Sequence, residues 1–403
     1  MRVKSRVFKS FIFINMFLIL SFVLTACGKT SKVTDESLSL DEYVLVDDNG
    51  TIKCSNYDYV VCLEKEKDKE FKVLNFADVQ LTSEQVIYEN GVATYAYELM
   101  RELIEETNPD LITLSGDQSY GEPNAINAIS SVINEYSIPW APVFGNHDND
   151  CFEISREAQI DIYSSYSNCL IKYGPEEIVN SENSTPRPCN YIINIVERDD
   201  NGFHIVRSIF MLNSGDLNEP FEITGEKLNT HFYENLTDKQ IEFYKWGIEC
   251  SKKYNNGEYV KSTIVQHIPL TAYAFAFAEA FITDYSAYEY NKIHNIAAGY
   301  LPRDTYDGSC WKEGYKDSFG VCHEVICSSP LDDGIFEKLI KYGSLDSMIV
   351  GHDHKNTFSI NYKGVRLSYG LKTGYGSYYE LMSIGGTTLT FDDNSIRVEH
   401  IYK

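Results

Sequence analysis

Five short stretches of this 403-residue chain each place residues able to bind a metal directly after an apolar run. After "VLNF" come Ala77, Asp78, Val79 and Gln80, and after "LITLS" come Gly116, Asp117, Gln118, Ser119 and Tyr120. After "APVF" come Gly145, Asn146, His147 and Asp148. After "STIVQ" comes His267, and after "SMIV" come Gly351, His352, Asp353 and His354. Carboxylates, amide oxygens and imidazoles are donors to hard and borderline cations. Singly, each ending is weak: an Asp after a strand is usually a turn or cap residue. Asn146 alone would be a turn former, and His267 alone a satisfied polar group. Turn chemistry does not account for the recurrence in five places. His204, His231, His294, His323 and His400 lie outside these endings and are assigned no role.

The chemistry open to such a set is specific. Two cations held about 3.5–4 Å apart need a shared ligand, and a carboxylate has two oxygens with which to bridge them. Asp117, near the middle of the group, is the candidate bridge. A hydroxide held between the cations is a nucleophile at neutral pH, and the same cations neutralise the oxygens of a bound phosphate.

The elements that must position these residues can be read from the same rows. "FKVLNF", "DLITLSG", "WAPVFG", "STIVQH" and "SMIVGH" have strand length and strand composition. Between the first three lie helical spacings, Val92, Tyr95, Leu99 and Leu103 and then "AINAISSVINEY". In open α/β sheets, ligands bind outside the carboxyl ends of the strands. After 355 the chain alternates as strands, with Tyr362-Lys363-Gly364 and Gly385-Gly386 expected to mark hairpins. Helix–strand alternation followed by strands predicts an α/β core whose sheet packs on a second, more antiparallel one.

These motifs, in this order, resemble the calcineurin-like metallophosphoesterase superfamily, whose pattern runs D-x-H, G-D, G-N-H-D/E, H and G-H-x-H. "QHIPL" and "YGLKTGYGSY" further resemble its branch related to purple acid phosphatases. The resemblance covers roughly residues 71–375 and implies a four-layer α-β-β-α sandwich of two packed mixed sheets with flanking helices. It implies one metal on Asp78, Asp117 and His354, and a second on Asp117, Asn146, His267 and His352. His147 would be the acid that protonates the leaving group, with Asp148 orienting its ring, and Asp353 a turn or supporting residue. One departure matters: the first motif ends in Gln80 where the family has His. The first site is then completed by Tyr120, which fits G-D-x-x-Y and favours Fe(III), or by Gln80, which favours Mn or Ca-like ions. The implied cofactors are two divalent or trivalent ions, with Fe, Mn and Zn as candidates. The implied activity is hydrolysis of phosphate esters on a small phosphorylated substrate. A small diester or cyclic nucleotide is the alternative substrate, and a catalytically silent ligand-binding lipoprotein the alternative of another class.

The amino terminus is read separately. Arg2, Lys4, Arg6 and Lys9 precede the apolar "FIFINMFLILSFVL" and then Leu24-Thr25-Ala26-Cys27. This is the layout of a secretory leader, and its end resembles a bacterial lipoprotein box. The resemblance implies cleavage before Cys27, acylation of that residue and a lipid-anchored, extracytoplasmic protein. Residues 27–70 are polar, closing in "LEKEKDKE", and are expected to form a tether with one hairpin at Asn49-Gly50. Residues 71–403 are expected to form the metallophosphoesterase-like domain, with an irregular aromatic insertion around 270–326 expected to lie over one face. Loss of the four leader cations takes the formal charge from −24 to −28, which opposes binding of a nucleic-acid polymer. Exported chains form disulfides, with Cys54–Cys62 and Cys310–Cys322 as candidate pairs, and no CxxC is present.

Overall fold

The computed structural model describes residues 38–151, 154–179, 186–200, 202–218, 222–223, 226–227, 232–281, 311–329, 334–392 and 395–403. The expected leader, Cys27, Cys310 and the middle of the aromatic insertion lie outside these residues. The expected amino-terminal hairpin is present, pairing β1 (Leu45–Asp48) with β2 (Thr51–Cys54). Asn49 and Gly50 both take positive φ, 53° and 90°, as a two-residue turn of this hand requires.

Two mixed sheets form the frame. One has five strands in the order β14-β13-β4-β5-β6, where β4 is Phe71–Phe76, β5 Leu111–Leu114, β6 Trp140–Pro142, β13 Gly385–Phe391 and β14 Ile396–Tyr402. Strands β4, β5 and β6 are parallel, and β13 closes antiparallel on β4. The other has seven strands, β11-β12-β10-β9-β8-β7-β3. Its members are β3 (Val60–Lys65), β7 (Tyr191–Asp199), β8 (Gly202–Met211), β9 (Lys261–Val265), β10 (Leu345–Val350), β11 (Ser359–Tyr362) and β12 (Val365–Tyr369). Helices flank the packed pair, completing the expected layered α/β sandwich.

Local sequence explains the parallel strands. All four residues of β5, and all but Lys72 of β4, are buried, as in strands covered on both faces. The crossover between them is α2 (Gly91–Thr107), after the short α1 (Ser83–Ile87). The Asn90 side chain caps α2 by accepting from the Val92 and Ala93 N–H groups, and Leu99, Met100 and Leu103 are buried on its inner side. The next crossover, α3 (Pro123–Asn134), starts on a proline whose missing N–H costs nothing there.

Four expectations are corrected. The polar run before residue 70 is not only a tether: β3 pairs parallel with β7, and its Lys65 is in a 2.5 Å ion pair with Glu197, both nearly buried. Pairing within a partner strand, absent from the local pattern, hides those charges. Gly385 and Gly386 do not form a turn but begin β13; a Cβ at Gly386 would meet Leu103 and Leu74 at 3.0 and 3.1 Å, so the position is small because α2 presses on the sheet. The start of the aromatic insertion is regular: Thr271–Ala280 forms a largely buried helix whose Tyr273 and Phe277 pack on Phe358, Tyr369 and Trp311. Cys54 and Cys62 are free thiols, one at the end of the hairpin and the other in the sheet strand β3, so that pair is not a disulfide; Cys322 is also free.

Candidate metal centre

All five motifs follow strands at one edge of the two sheets, and their side chains meet there. Asp78, Gln80 and Asp117, after β4 and β5, and His352, after β10, hold positive φ of 53°, 49°, 53° and 79°. Left-handed backbone is unusual for residues other than glycine and clusters where surroundings enforce it at working sites. Here the loops are tied across sheets. The Asp78 carboxylate accepts the His352 N–H at 3.1 and 3.2 Å, the Gly351 N–H donates to the His267 carbonyl, and the Gln80 N–H donates to the Asp117 carbonyl.

His267 and His354 are each oriented through their second ring nitrogen. His267 Nδ1 donates to the Ser115 carbonyl at 2.9 Å, which turns Nε2 to 3.2 Å from an Asp117 oxygen and 4.0 Å from Asp78. His354 Nδ1 donates to the Tyr378 carbonyl at 2.7 Å, leaving Nε2 at 3.4 Å from Asp78 Oδ1. The Tyr378 ring stacks on His354 with centroids 4.1 Å apart. His352 Nδ1 lies 3.3 Å from His267 Nε2. A backbone carbonyl fixing one ring nitrogen is the usual way a metal-binding imidazole is held.

The electrostatics suit a cation. Burial opposes ionisation of Asp78 and Asp117, yet neighbouring imidazoles hold both carboxyls below their ordinary value. Burial and the charge of His267 keep His352 neutral, the form that ligates. Burial opposes a charge on His267, but Asp117 and Asp78 outweigh it and raise its pKa. The fit is tested by Asn146: its Oδ1 is buried and has no hydrogen-bond partner. A buried acceptor without a donor is costly, and a cation resolves it. Donor atoms of Asp117, His267 and His352 lie within 4.8 Å of one another, so the residues present fit the implied ions.

Three predicted residues stand elsewhere than expected. The Asp148 carboxylate does not face His147. It accepts N–H groups of Asp117 (2.8 Å), Gly145 (2.9 Å) and Ser119 (3.1 Å), so it braces two motif loops. Burial, with Asp117 adding, pushes its carboxyl up to about 7. The residue beside the His147 ring is Asp150, 2.7 Å from Nδ1. Gln80 turns its amide nitrogen to Asp117, 3.3 Å away, and its oxygen to Lys372, 3.4 Å away. The Tyr120 hydroxyl is hydrogen-bonded to the Ser377 side chain, and its ring meets His147 edge-on at 5.7 Å. Asp353, buried, accepts from the Tyr369 hydroxyl and the Cys327 N–H, the supporting position expected of it.

Sequence reading missed Asp150, Lys372, Tyr378 and Arg156. Arg156 donates to the Gly145 carbonyl at 3.1 Å and pairs with Asp216 at 2.5 Å, clamping the loop that carries Asn146 and His147. Only Asp150 had a legible signal, as a carboxylate three residues beyond His147 in a short helical turn.

Carboxylates, an amide oxygen and imidazoles gathered at the strand ends of an α-β-β-α sandwich define a metallohydrolase scaffold. Residues 71–356 match the calcineurin-like phosphoesterase family, and the chain belongs to it. Among relatives, "probable inactive purple acid phosphatase 14" and "29" of Arabidopsis thaliana are 22% and 24% identical over 333 and 336 residues. The alignments cover 77% of this chain and 72% and 73% of those proteins. A dimetal phosphatase from Danio rerio superposes with a TM-score of 0.47 at 11% identity, over 82% of this chain and 95% of its own.

Proposed function

We propose that this chain hydrolyses phosphate esters of small molecules at a two-cation centre. The cations would be held by Asp78, Asp117 and His354, and by Asp117, Asn146, His267 and His352. The carrying observation is the buried, unpartnered Asn146 oxygen, in a loop whose flanking Gly145 and His147 both lie against Asp117. When bound, the ions supply Lewis-acid stabilisation of the phosphate and an activated water. The chain's own residues then place the proton. His147 spends Nδ1 on Asp150, which leaves Nε2 for the substrate. Burial lowers the His147 pKa, but Asp117 and Asp150 outweigh it and raise the value, the direction that favours the charged ring a proton donor needs. Beside it opens a cleft of about 560 Å³, bordered by Tyr120, Glu122, Asn124 and Asp150, with room for a small leaving group.

The expected setting accompanies this reading: a lipid on Cys27 holds the protein outside the cytoplasm. Metabolic labelling with a radioactive fatty acid would mark the wild type and spare Cys27→Ala. Equal labelling of both would remove the anchor from the proposal.

A chromogenic phosphomonoester assay with Mn, Zn or Fe tests the activity, with a chromogenic diester in parallel. Metal-dependent turnover lost in His147→Ala and Asp117→Asn is expected; turnover indifferent to Asp117→Asn would remove the assignment. The silent-scaffold reading draws on one feature, the amide oxygen of Gln80 already engaged by Lys372, and gains if neither ester is cleaved by metal-loaded protein.

A further inference from the structure

Lys372 is 1% exposed, and its ammonium lies against the Asp78 backbone and the Gln80 amide. Nζ donates to the Asp78 carbonyl at 2.5 Å and to Gln80 Oε1 at 3.4 Å. An ammonium only donates and an ionised carboxylate only accepts, so the Gln80 amide between Lys372 and Asp117 has one favourable orientation. Its oxygen faces the lysine and its NH2 faces Asp117. A flipped amide would set N–H against the ammonium and oxygen against the carboxylate. The residue that replaces the family's histidine therefore does not offer its donor atom to an ion.

A buried positive charge beside Asp78 and Asp117 also repels a cation there, and low local polarity strengthens the repulsion. The other position keeps its set intact: Asp117, Asn146, His267 and His352 are untouched by Lys372 in any hydrogen bond described above.

We infer that Lys372, by engaging the Gln80 oxygen and standing against the Asp78 backbone, makes the two metal positions unequal. One ion is held tightly at Asp117–Asn146–His267–His352, and the ion at Asp78–His354 is held at least about tenfold more weakly, about 1.4 kcal/mol. This rests on the metal centre proposed above but not on its activity. Lys372 is a positioning residue here, acting through Gln80 and the Asp78 backbone.

The test is manganese(II) titration of the full-length chain followed calorimetrically, with the metal retained after dialysis counted by mass spectrometry. Wild type is expected to retain one ion and to bind the second at least tenfold more weakly. Lys372→Met removes the charge and frees the Gln80 oxygen, and should narrow the gap at least tenfold while leaving the first affinity in place. If that variant does not fold, Gln80→Met serves, since its second-ion affinity should stay within a few-fold of wild type. Two ions of equal affinity in wild type, an unchanged gap in folded Lys372→Met, or a tenfold loss in Gln80→Met would overturn the inference and leave the metal centre standing. No ion bound by wild type would take down both.

Discussion

The imidazole of His147 is hydrogen-bonded at 2.7 Å to Asp150, three residues on, while the adjacent Asp148 points into the backbone of neighbouring loops. The two carboxylates thus divide what looks from sequence like one task, and their variants should differ in kind.

Asp150→Asn removes a half-exposed partner, so stability should change by less than about 0.5 kcal/mol. Asp150 is one of the groups raising the His147 pKa, so its loss moves that pKa down. The imidazolium form then disappears at lower pH, and the alkaline limb of a pH–rate profile shifts toward acid. An NMR titration of the ring checks the shift directly; an unmoved pKa would remove Asp150 from its role.

Asp148→Ala strands three N–H groups that the carboxylate now receives. Each buried unsatisfied donor costs about 1–3 kcal/mol, so denaturant unfolding should show a loss of about 3 kcal/mol or more. The His147 pKa should move less than in Asp150→Asn.

Asp117→Asn should abolish metal retention. Asp117 Oδ2 lies 3.2 Å from His267 Nε2, Oδ1 accepts the His147 N–H, and the proposed bridge needs the charge of both oxygens. Metal analysis of protein purified without chelators checks it; undiminished metal in this variant would contradict the bridge.

Gly351→Ala should weaken metal binding without unfolding the protein. A Cβ there would come within 2.5 Å of Asp78 Oδ2 and 3.2 Å of His267 Nδ1. The carboxylate must move to admit it. Calorimetry with manganese should show a loss of at least about tenfold, with a near-native thermal midpoint.

His400 gives a pH signature remote from the centre. Its Nε2 donates to the Thr357 carbonyl at 2.6 Å and Nδ1 meets Thr387 Oγ1 at 2.9 Å, so the folded ring is neutral. Burial lowers its pKa from 6.5 to about 4. Between these values the unfolded chain binds a proton that the folded one does not, so stability falls as pH drops from about 6.5 to about 4. The loss is at most about 3 kcal/mol, trimmed where water reaches the ring edge. Unfolding of His400→Gln across that window should show a slope shallower by about one proton.

How far the sequence reached can be judged residue by residue. A strand end is a local feature: an apolar run followed by a donor is visible without knowing what it meets, and five such ends in family order indicated a shared edge. The Asn49-Gly50 and Lys363-Gly364 turns were equally local, their positive φ written in residue type. Partner choice was not. Asp148 and Asp150 carry the same side chain, and only the short helical turn decides which one reaches the ring. Lys372 is separated from Gln80 by nearly three hundred residues and is brought beneath it where the segment after β12 runs along Ala77. Residue type and order determined which groups could bind ions and which end of the sheets they occupy. The tertiary packing decided which carboxylate holds His147, whether Gln80 has a free oxygen, and where a buried charge stands, because those depend on distances between segments that no local pattern encodes.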